Sequence, residues 1–483
     1  MRRLYVTFAV VFWFWASPTW ATCTGSSPTW TSTPDLTSVS SCVSSASRGD
    51  TINVSAGDGT ETWTSALSVT KGVSLIGPGR NSLSISGGGL LIIIAPDATA
   101  ITNNELIRVS GFTFKGNDTA VNLIRVVGAG SASPVPFRKL VIETNRFRDM
   151  LPVDGGSGVI YTTGQVRGVI ADNIFDRANV ILKIMGNNLI TDWENGNFSF
   201  AFGSGDNLYF EDNLIQWSTA TANSGTPGWT ESGQGGRLAM RYNIWNYSGS
   251  AKQSETWDMH GFQNFTGPPL WPDDLAGQTG TMITEYYGNT LTSKAGYRWV
   301  AFRGSWGLLF NNIVTGTSGS AMAIMQYDRG CNSYVKETRP PPNGEINNTY
   351  GFNNTMNGSA VNFALWSASG TPGVGAALNN TCPPVENIGF WNYNAACTSS
   401  ACAAGIGRGT TPPTGTCTTG VGYWVASTAT PTTDSTVIQN GALYKCTSTN
   451  AWKLYYKPYI YPHPLRSGTN ESLPQAPTGL SIF

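Results

Sequence analysis

The sequence predicts an all-β protein whose body is a right-handed parallel β-helix, a solenoid of short strands. One observation is a short asparagine-centred phrase that recurs at intervals of 23 to 46 residues, which is typical of repeat architectures. A second is the composition: 56 glycines and only 12% charged residues suit a sheet protein rich in turns. A third is that no amphipathic pattern longer than a few helical turns occurs.

The recurring phrase places strand-forming residues on both sides of its asparagine. It reads ETNRF, ADNIF, EDNLI, RYNIW, YGNTL and FNNIV around Asn145, Asn173, Asn213, Asn243, Asn289 and Asn312, and Gly111 takes the same slot in IRVSGFTF. Two strands that meet at a sharp angle need a residue in the left-handed region, which asparagine and glycine tolerate. We therefore expect these asparagines to adopt that conformation and their amides to bond from coil to coil. A propeller would need regular antiparallel hairpins, which the sequence lacks.

The first 21 residues have the pattern of a secretory signal peptide. A basic start at Arg2 and Arg3 precedes an apolar run from Leu4 to Ala16. This run is shorter than the roughly 17 apolar residues that a membrane span needs. The predicted parts are a signal peptide at 1–21, the β-helix at 22–357 and a Cys-, Gly- and Pro-rich C-terminal region at 358–483. We expect a secreted or extracellular protein, with the periplasm or a cell surface as alternatives.

All eight cysteines follow residue 21, and an even number in an oxidising compartment indicates disulfides. Pairing of nearest neighbours joins Cys23 to Cys42 and Cys417 to Cys446. Zinc is the alternative, but both histidines lie far from any suitable cysteine spacing.

The C-terminal region differs from the repeats. Glycine, threonine, proline and cysteine dominate it as far as Thr433, and a segment dense in aromatic residues follows from Gly441 to Leu465. One interpretation is a disulfide-containing cap over the open end of the solenoid, where strand edges need cover. The other is a small module that binds sugars on tyrosine and tryptophan faces. The cap is the favoured interpretation.

The distribution of charged and apolar residues limits the kinds of molecule that the protein is expected to bind. Formal net charge is zero, and the sequence has no basic patch of the kind that nucleic-acid binding needs. No later segment is apolar for long enough to span a membrane. We expect a monomer that binds a polysaccharide, although a neutral chain exerts little long-range attraction on a strongly anionic polymer.

The opening of the predicted body resembles a known superfamily. The stretch RGDTINVSAGDGTETWTSALSVTKGVSLIGPG, from Arg48 to Gly79, is similar to the first coils of the pectate-lyase-like superfamily, with its GDTI and LIGxG phrases. Together with the asparagine phrases, the resemblance covers about Gly49 to Thr355. It implies the fold, but the superfamily contains lyases, hydrolases, epimerases, esterases and phage tailspikes.

In this fold the strand before each asparagine-turn strand belongs to one long exposed sheet beside a groove. In TWDMHG, the two-residue period of a strand puts Trp257 and Met259 on one face and Asp258 and His260 on the other. The apolar pair belongs inside, so Asp258 and His260 should face the groove.

The strand GYRWVAFRG is treated in the same way. Burial of Val300 and Phe302 would turn Trp299 and Arg303 outward and Arg298 inward. Arg303 is therefore weighted above Arg298 as a groove residue.

Cleavage of an acidic glycan by β-elimination is the favoured chemistry. A base removes the proton beside the sugar carboxylate, which must be neutralised, and the leaving oxygen then departs. The residues predicted to be catalytic are His260 as base, Asp258 holding it, Arg303 facing the carboxylate and Tyr327 as proton donor. Those predicted to bind substrate are Glu231, Arg237, Arg298, Trp299 and Asp328.

Other functions stay open at this point. A non-catalytic extracellular or cell-surface protein that binds glycan is the alternative, and a glycoside hydrolase or epimerase is a second one. His260 could equally be an ordinary hydrogen-bonded surface residue, and Arg303 could simply pair with Asp258 or Asp328. His463 is expected to be structural.

No metal ligand is assigned, and no cofactor is predicted firmly, with Ca²⁺ as the open possibility. Calcium needs several oxygen ligands close together. The acidic residues that could supply them, without any recognised motif, are Asp206, Glu211, Asp212, Asp273 and Asp274.

Overall fold

A computed structural model of the protein describes residues 22–117, 122–128, 135–151, 158–186, 202–217, 228–247, 256–260, 280–293, 299–304, 306–316, 323–325, 346–365 and 384–466. Three long sheets of thirteen, eleven and ten strands make up the body, and we name them sheets A, B and C. Nearly all neighbouring strands within them are parallel, and each coil of the chain contributes one strand to A, then B, then C. The predicted parallel β-helix is confirmed.

The strands have the following bounds. Sheet A comprises Cys23–Ser26, Thr29–Ser32, Thr51–Val54, Ser74–Ile76, Ile107–Ser110, Phe137–Glu143, Val166–Ala171, Leu208–Glu211, Arg237–Arg241, Ile283–Tyr287, Trp306–Phe310, Thr349–Phe352 and Phe390–Asn392. Sheet B comprises Thr60–Thr62, Ser84–Ser86, Thr113–Lys115, Arg146–Met150, Ile174–Ala178, Leu214–Gln216, Ile244–Asn246, Thr290–Ser293, Ile313–Gly316, Thr355–Met356 and Ser359–Ala360. Sheet C comprises Leu67–Val69, Ile92–Ile94, Ile124–Val127, Ile160–Thr163, Val180–Met185, Trp229–Gly233, Trp257–Met259, Val300–Phe302, Ala323–Met325 and Phe363–Leu365.

The core is one continuous apolar column inside the coils. It extends from Val39 to Phe390 along the chain, because each strand points alternate side chains inward. Phenylalanines from successive sheet B strands stack within it: the ring centroids of Phe114 and Phe147 are 5.5 Å apart, and those of Phe147 and Phe175 are 5.1 Å apart. Offset stacking of this kind adds about 1 kcal/mol per pair to the burial itself.

The turn between sheets A and B corrects one prediction. The left-handed residue is the one before each phrase asparagine: Thr144, Asp172, Asp212, Tyr242, Gly288, Asn311 and Asn353 have φ between 53° and 68°. Gly111 has φ 82° and aligns with Thr144, not with Asn145. The predicted left-handed conformation of the phrase asparagines was therefore wrong by one position.

The asparagines form the predicted ladder. In one rung, the Oδ1 of Asn243 accepts the backbone N–H of Asn213 at 3.0 Å and the Nδ2 of Asn213 at 3.0 Å, while its own Nδ2 donates to Phe210 O at 2.8 Å. The same pattern runs without a break from Asn145 to Asn354. It supplies partners for backbone groups that a sharp buried turn would otherwise leave unpaired.

Short helices accompany the solenoid. In the described ranges they are α1 Leu36–Ser45, α2 Ala98–Thr102 and α3 Ser435–Gln439. Asp35 caps α1 by accepting the Ser38 N–H at 2.8 Å, and α1 adds Val39, Cys42 and Val43 to the core. In the described part of the chain, no helix has the length and apolar character needed to cross a membrane.

The C-terminal region is a disulfide-containing, aromatic-rich module, as predicted. Its strands are Ala401–Cys402 and Thr416–Cys417 in one pair, and Ile406–Gly409, Gly422–Val425, Ala442–Ser448 and Ala451–Tyr456 in a four-stranded sheet. The predicted disulfides Cys23–Cys42 and Cys417–Cys446 are present, together with Cys397–Cys402. Three disulfides fit an oxidising compartment.

The module lies along the flank of the solenoid. Its Trp424 packs on Phe310 and Phe352, both on the outer face of sheet A, with ring centroids 5.0 and 5.3 Å away. Among the described residues of this region, only the strand Phe390–Asn392 continues sheet A at its end. Most of the region therefore covers an apolar side of the β-helix, and a cap over its open end describes only part of it.

Residues 459–466, the C-terminal strap, continue from the module across the outer face of sheet A. Arg241 donates to Tyr459 O at 2.6 Å and to Ile460 O at 2.9 Å. Further along, the His463 N–H donates to the Glu211 carboxylate at 2.8 Å. The strap contacts strands far from it in sequence and ties them to the module.

Candidate functional site

Sheet C presents the predicted alternation at the strand Trp257–Met259. Trp257 and Met259 are fully buried in the core. Asp258 lies on the opposite face, and His260 follows it with 19% of its side chain exposed. Both side chains therefore face outward from the solenoid, as the period of the strand predicts.

Five charged or titratable side chains meet there, and we call them the polar cluster: Lys183, Glu231, Asp258, His260 and Arg303. Asp258 Oδ2 accepts Arg303 Nη2 at 2.7 Å and lies 3.4 Å from His260 Nε2. The same His260 nitrogen is 3.5 Å from Glu231 Oε1, and Lys183 Nζ is 3.4 Å from that oxygen. Two carboxylates and three basic groups thus share one patch.

The sheet register explains why these residues meet. Lys183, Glu231 and Asp258 are aligned on three neighbouring strands of sheet C. Adjacent strands lie about 4.8 Å apart, so aligned side chains on the same face are in reach of one another. Residues separated by up to 75 positions in sequence, Lys183 and Asp258, are brought into one row by the solenoid alone.

His260 has a raised pKa in this environment. Burial is the largest single effect and acts to lower the pKa of His260, but the combined attraction of nearby carboxylates, chiefly Asp258, outweighs it. Glu231 raises the pKa of His260 further, whereas Arg303 opposes the shift. The imidazole can therefore hold a proton at pH values above about 6.5, the usual pKa of histidine.

Arg303 is engaged within the cluster. Its guanidinium is bonded to Asp258, and the side chains of Arg303 and Asp258 are 17% and 2% exposed. Removing a nearly buried carboxylate from water is costly unless a cation pairs with it. The ion pair with Arg303 therefore offsets part of the cost of burying Asp258.

Arg237 was wrongly predicted to lie in the groove. It begins the sheet A strand Arg237–Arg241 and is 2% exposed, with its Nε donating to Asn207 Oδ1 at 3.2 Å. Burial lowers the pKa of Arg237 to about 10. The glycine-rich bend after Glu231 carries the chain from sheet C to sheet A, so the two residues belong to different faces.

Trp299 was wrongly predicted to face outward. It is 4% exposed and packs edge-on against Tyr286 inside the coil, with ring centroids 5.4 Å apart. Val300 and Phe302 are buried as expected. Trp299 precedes the strand Val300–Phe302, where the backbone is not yet extended and the two-residue period does not apply.

Three predicted residues lie outside the described part of the chain: Arg298, Tyr327 and Asp328. Lys183, by contrast, was missed. A single lysine within the apolar strand VILKIM is the signal that could have identified it, because a charge in such a strand needs a partner across the sheet.

The acidic residues considered for Ca²⁺ have other partners. Glu211 accepts Arg241 Nε at 2.7 Å, Asp212 pairs with Arg466 and Asp206 pairs with Arg138. Asp273 and Asp274 lie outside the described residues. Within the described ranges, no group of three or more His, Cys, Asp or Glu side chains could hold a metal ion.

His463 lies on the sheet A side, in the strap. Burial lowers the pKa of His463 to about 4, and its Nδ1 accepts the Leu465 N–H at 3.2 Å. These contacts agree with the expected structural role.

Comparison with known proteins finds little. No family model and no curated protein matches the sequence. A solved structure described as ORF18 of Geobacillus virus E2 is similar at 10% sequence identity with a TM-score of 0.22, over 69% of this chain and 61% of that chain. The chain therefore spans about 61% of the length of that structure. Inference about function depends on the residues of the site.

Proposed function

We propose that this protein is an exported polysaccharide-active enzyme that cleaves an acidic glycan by β-elimination at the polar cluster. The observation that carries the proposal is the meeting of Asp258, His260 and Arg303 on the outward face of sheet C. A titratable group whose pKa is perturbed by a specific charged partner is a recognised mark of catalytic sites. Membership of the pectate-lyase-like superfamily is part of the same proposal and is supported by the parallel β-helix.

His260 is the base in this proposal. It takes the proton from the carbon beside the sugar carboxylate, the bond from the neighbouring carbon to the glycosidic oxygen breaks, and a double bond forms between the two carbons. The departing oxygen takes a proton from solvent or from Tyr327. Asp258 stabilises the imidazolium that forms, as a carboxylate does for histidine bases elsewhere.

The raised pKa of His260 sets the pH dependence. Only the neutral imidazole can accept a proton, so the elimination rate should be low at and below pH 6.5 and should rise as pH passes through the raised pKa. A rate that falls over this range would contradict the assignment of His260 as base.

The experiment measures ultraviolet absorbance of the unsaturated product over a panel of acidic polysaccharides. We expect the native protein to cleave one of them and His260→Ala to be slower by roughly 100-fold or more. The control is Lys453→Ala, which removes an exposed cation from the C-terminal module and should leave the rate unchanged. Equal rates for native protein and His260→Ala would overturn the proposal.

Hydrolysis is a second candidate because Glu231 and Asp258 lie on neighbouring strands and both approach His260 Nε2. Glycosidases use two carboxylates, one as acid and one as base or nucleophile. Hydrolysis would release reducing ends without the ultraviolet signal. Retention of a polysaccharide without either product would favour the non-catalytic binding alternative.

A further inference from the structure

The outward row that contains Asp258 extends beyond the polar cluster. Sheet C aligns Arg125 with Tyr161, Tyr161 with Lys183, Lys183 with Glu231, and Glu231 with Asp258. The five side chains occupy the same face on five successive coils. At about 4.8 Å per strand, Tyr161 lies roughly 14 Å from Asp258 along the axis of the solenoid.

Tyr161 stands between two cations in this row. The Arg125 guanidinium carbon is 5.8 Å from the centroid of the Tyr161 ring, and Lys183 Nζ is 5.9 Å from it. Arg125 is exposed, Tyr161 is half-buried and Lys183 is buried. Both cations are within range of a cation–π interaction, which holds the ring in place beside an exposed guanidinium.

The row is asymmetric about the polar cluster. On the N-terminal side it carries Tyr161 and Arg125. On the C-terminal side the aligned position is Ala301, which cannot bind a charged group. A polymer lying along the row would therefore gain most of its polar contacts on one side.

We propose that Arg125 and Tyr161, with buried Lys183 supporting the Tyr161 ring from the other side, form a subsite for an anionic sugar unit of the same glycan. The subsite deepens the proposed function and rests on it. Tyrosine combines an apolar ring with a polar tip that can contact a sugar unit. The planar guanidinium of Arg125 matches a carboxylate or sulfate with two parallel hydrogen bonds.

The subsite binds the part of the glycan that extends toward the N-terminal coils of the solenoid. Substrate length should therefore matter: oligosaccharides that reach Tyr161 bind more tightly than those too short to span the distance from the polar cluster. Shortening the substrate and removing the subsite should have the same effect on KM.

The test compares Arg125→Gln and Tyr161→Ala with Lys115→Gln, which removes an exposed cation from sheet B. On the polymer, each subsite variant should raise KM about fivefold with kcat little changed, and Lys115→Gln should match the native protein. With short oligosaccharides the difference should disappear. Unchanged KM in both subsite variants, or the same increase in Lys115→Gln, would overturn the subsite.

A binding measurement separates the subsite from the cleavage reaction. Affinity electrophoresis through gels that contain each polysaccharide of the panel would use the His260→Ala variant as background. Retardation that is reduced by adding Arg125→Gln supports the subsite even if no polymer is cleaved. If an anionic polysaccharide retards the protein equally with and without Arg125→Gln, the subsite is contradicted.

Discussion

Asp258 is held from two sides, by Arg303 at 2.7 Å and by His260 at 3.4 Å. A carboxylate side chain that is 2% exposed is costly to bury without such partners. The pairing therefore keeps a negative charge next to the imidazole. The pKa of His260 in the folded protein is above its unfolded value of about 6.5. The contribution of this interaction to the stability of the fold is therefore fully present below pH 6.5. The stabilisation is lost as pH rises through the folded-state pKa.

Asn243 allows the ladder to be tested at a single residue. Replacing it with alanine removes the acceptor for two Asn213 donors and the donor to Phe210 O. Each buried group left unpaired costs about 1–3 kcal/mol, so Asn243→Ala should lower the free energy of unfolding by roughly 3 kcal/mol. Urea denaturation measures the loss. Asn246→Ala on the same coil, at the partly exposed end of a sheet B strand, should cost less than about 1 kcal/mol; equal losses would contradict the ladder's role.

Residue-scale errors of sequence interpretation had local causes. The two-residue period correctly assigned Asp258, because it lies within a strand, and failed for Trp299, because it precedes one. The recurring asparagine phrase was recognised. The hydrogen bonds of the asparagine amide and the left-handed backbone of the residue before it are separate features, and the letter pattern alone does not show which residue has which.

At the scale of elements, the C-terminal strap joins parts of the chain that are distant in sequence. Arg466 lies 2.5 Å from Asp172, 3.0 Å from Glu211 and 2.5 Å from Asp212. Burial raises the pKa of Asp212 to about 6. Ionised Asp212 therefore costs stability above pH 6, and the cost is relieved as pH falls toward 4.

The His463 imidazole acts in the opposite direction. Its folded-state pKa of about 4 is below the unfolded value of about 6.5, so stability is lost as pH falls through that interval. Between pH 6 and 4 the effects of His463 and Asp212 offset each other. The strap should therefore remain docked in mildly acidic conditions.

Arg466→Ala tests the strap. It leaves three carboxylates at the ends of sheet A strands and in the turns that follow without their shared cation, and breaking a buried pair on one side costs about 3 kcal/mol or more. Chemical denaturation at pH 7 should show that loss. Arg138→Ala, which breaks the surface pair with Asp206 (the Arg138 side chain is 43% exposed), should cost less than about 1 kcal/mol. Equally small losses of unfolding free energy in both variants would contradict a stabilising role for the strap.

At the scale of the whole molecule, the outer faces of sheet A and sheet C differ in what lies on them. The outer face of sheet A is covered by the aromatic module and the strap. The outer face of sheet C carries the row from Arg125 to Asp258. The charged residues of sheet A, such as Arg241 and Glu211, are covered by the strap, whereas those of sheet C lie along the proposed groove.

The repeat period and the strand alternation were sufficient to predict the parallel β-helix and the outward position of Asp258 and His260. They could not predict the strap, because Arg466 meets Glu211 across 255 positions and no local pattern records that contact. Arg237 was misplaced for a related reason: sequence does not show where the glycine-rich bend passes from sheet C to sheet A. The partner of Lys183 follows only from the register between coils.

The coupling of Asp258, His260 and Arg303 is the central claim, and nuclear magnetic resonance titration of the two histidines tests it most directly. In untagged protein labelled at histidine, we predict that His260 titrates above pH 6.5 and His463 near pH 4. Asp258→Asn should lower the pKa of His260 and leave that of His463 unchanged. A His260 that titrates at or below 6.5, or that does not respond to Asp258→Asn, would contradict the cluster.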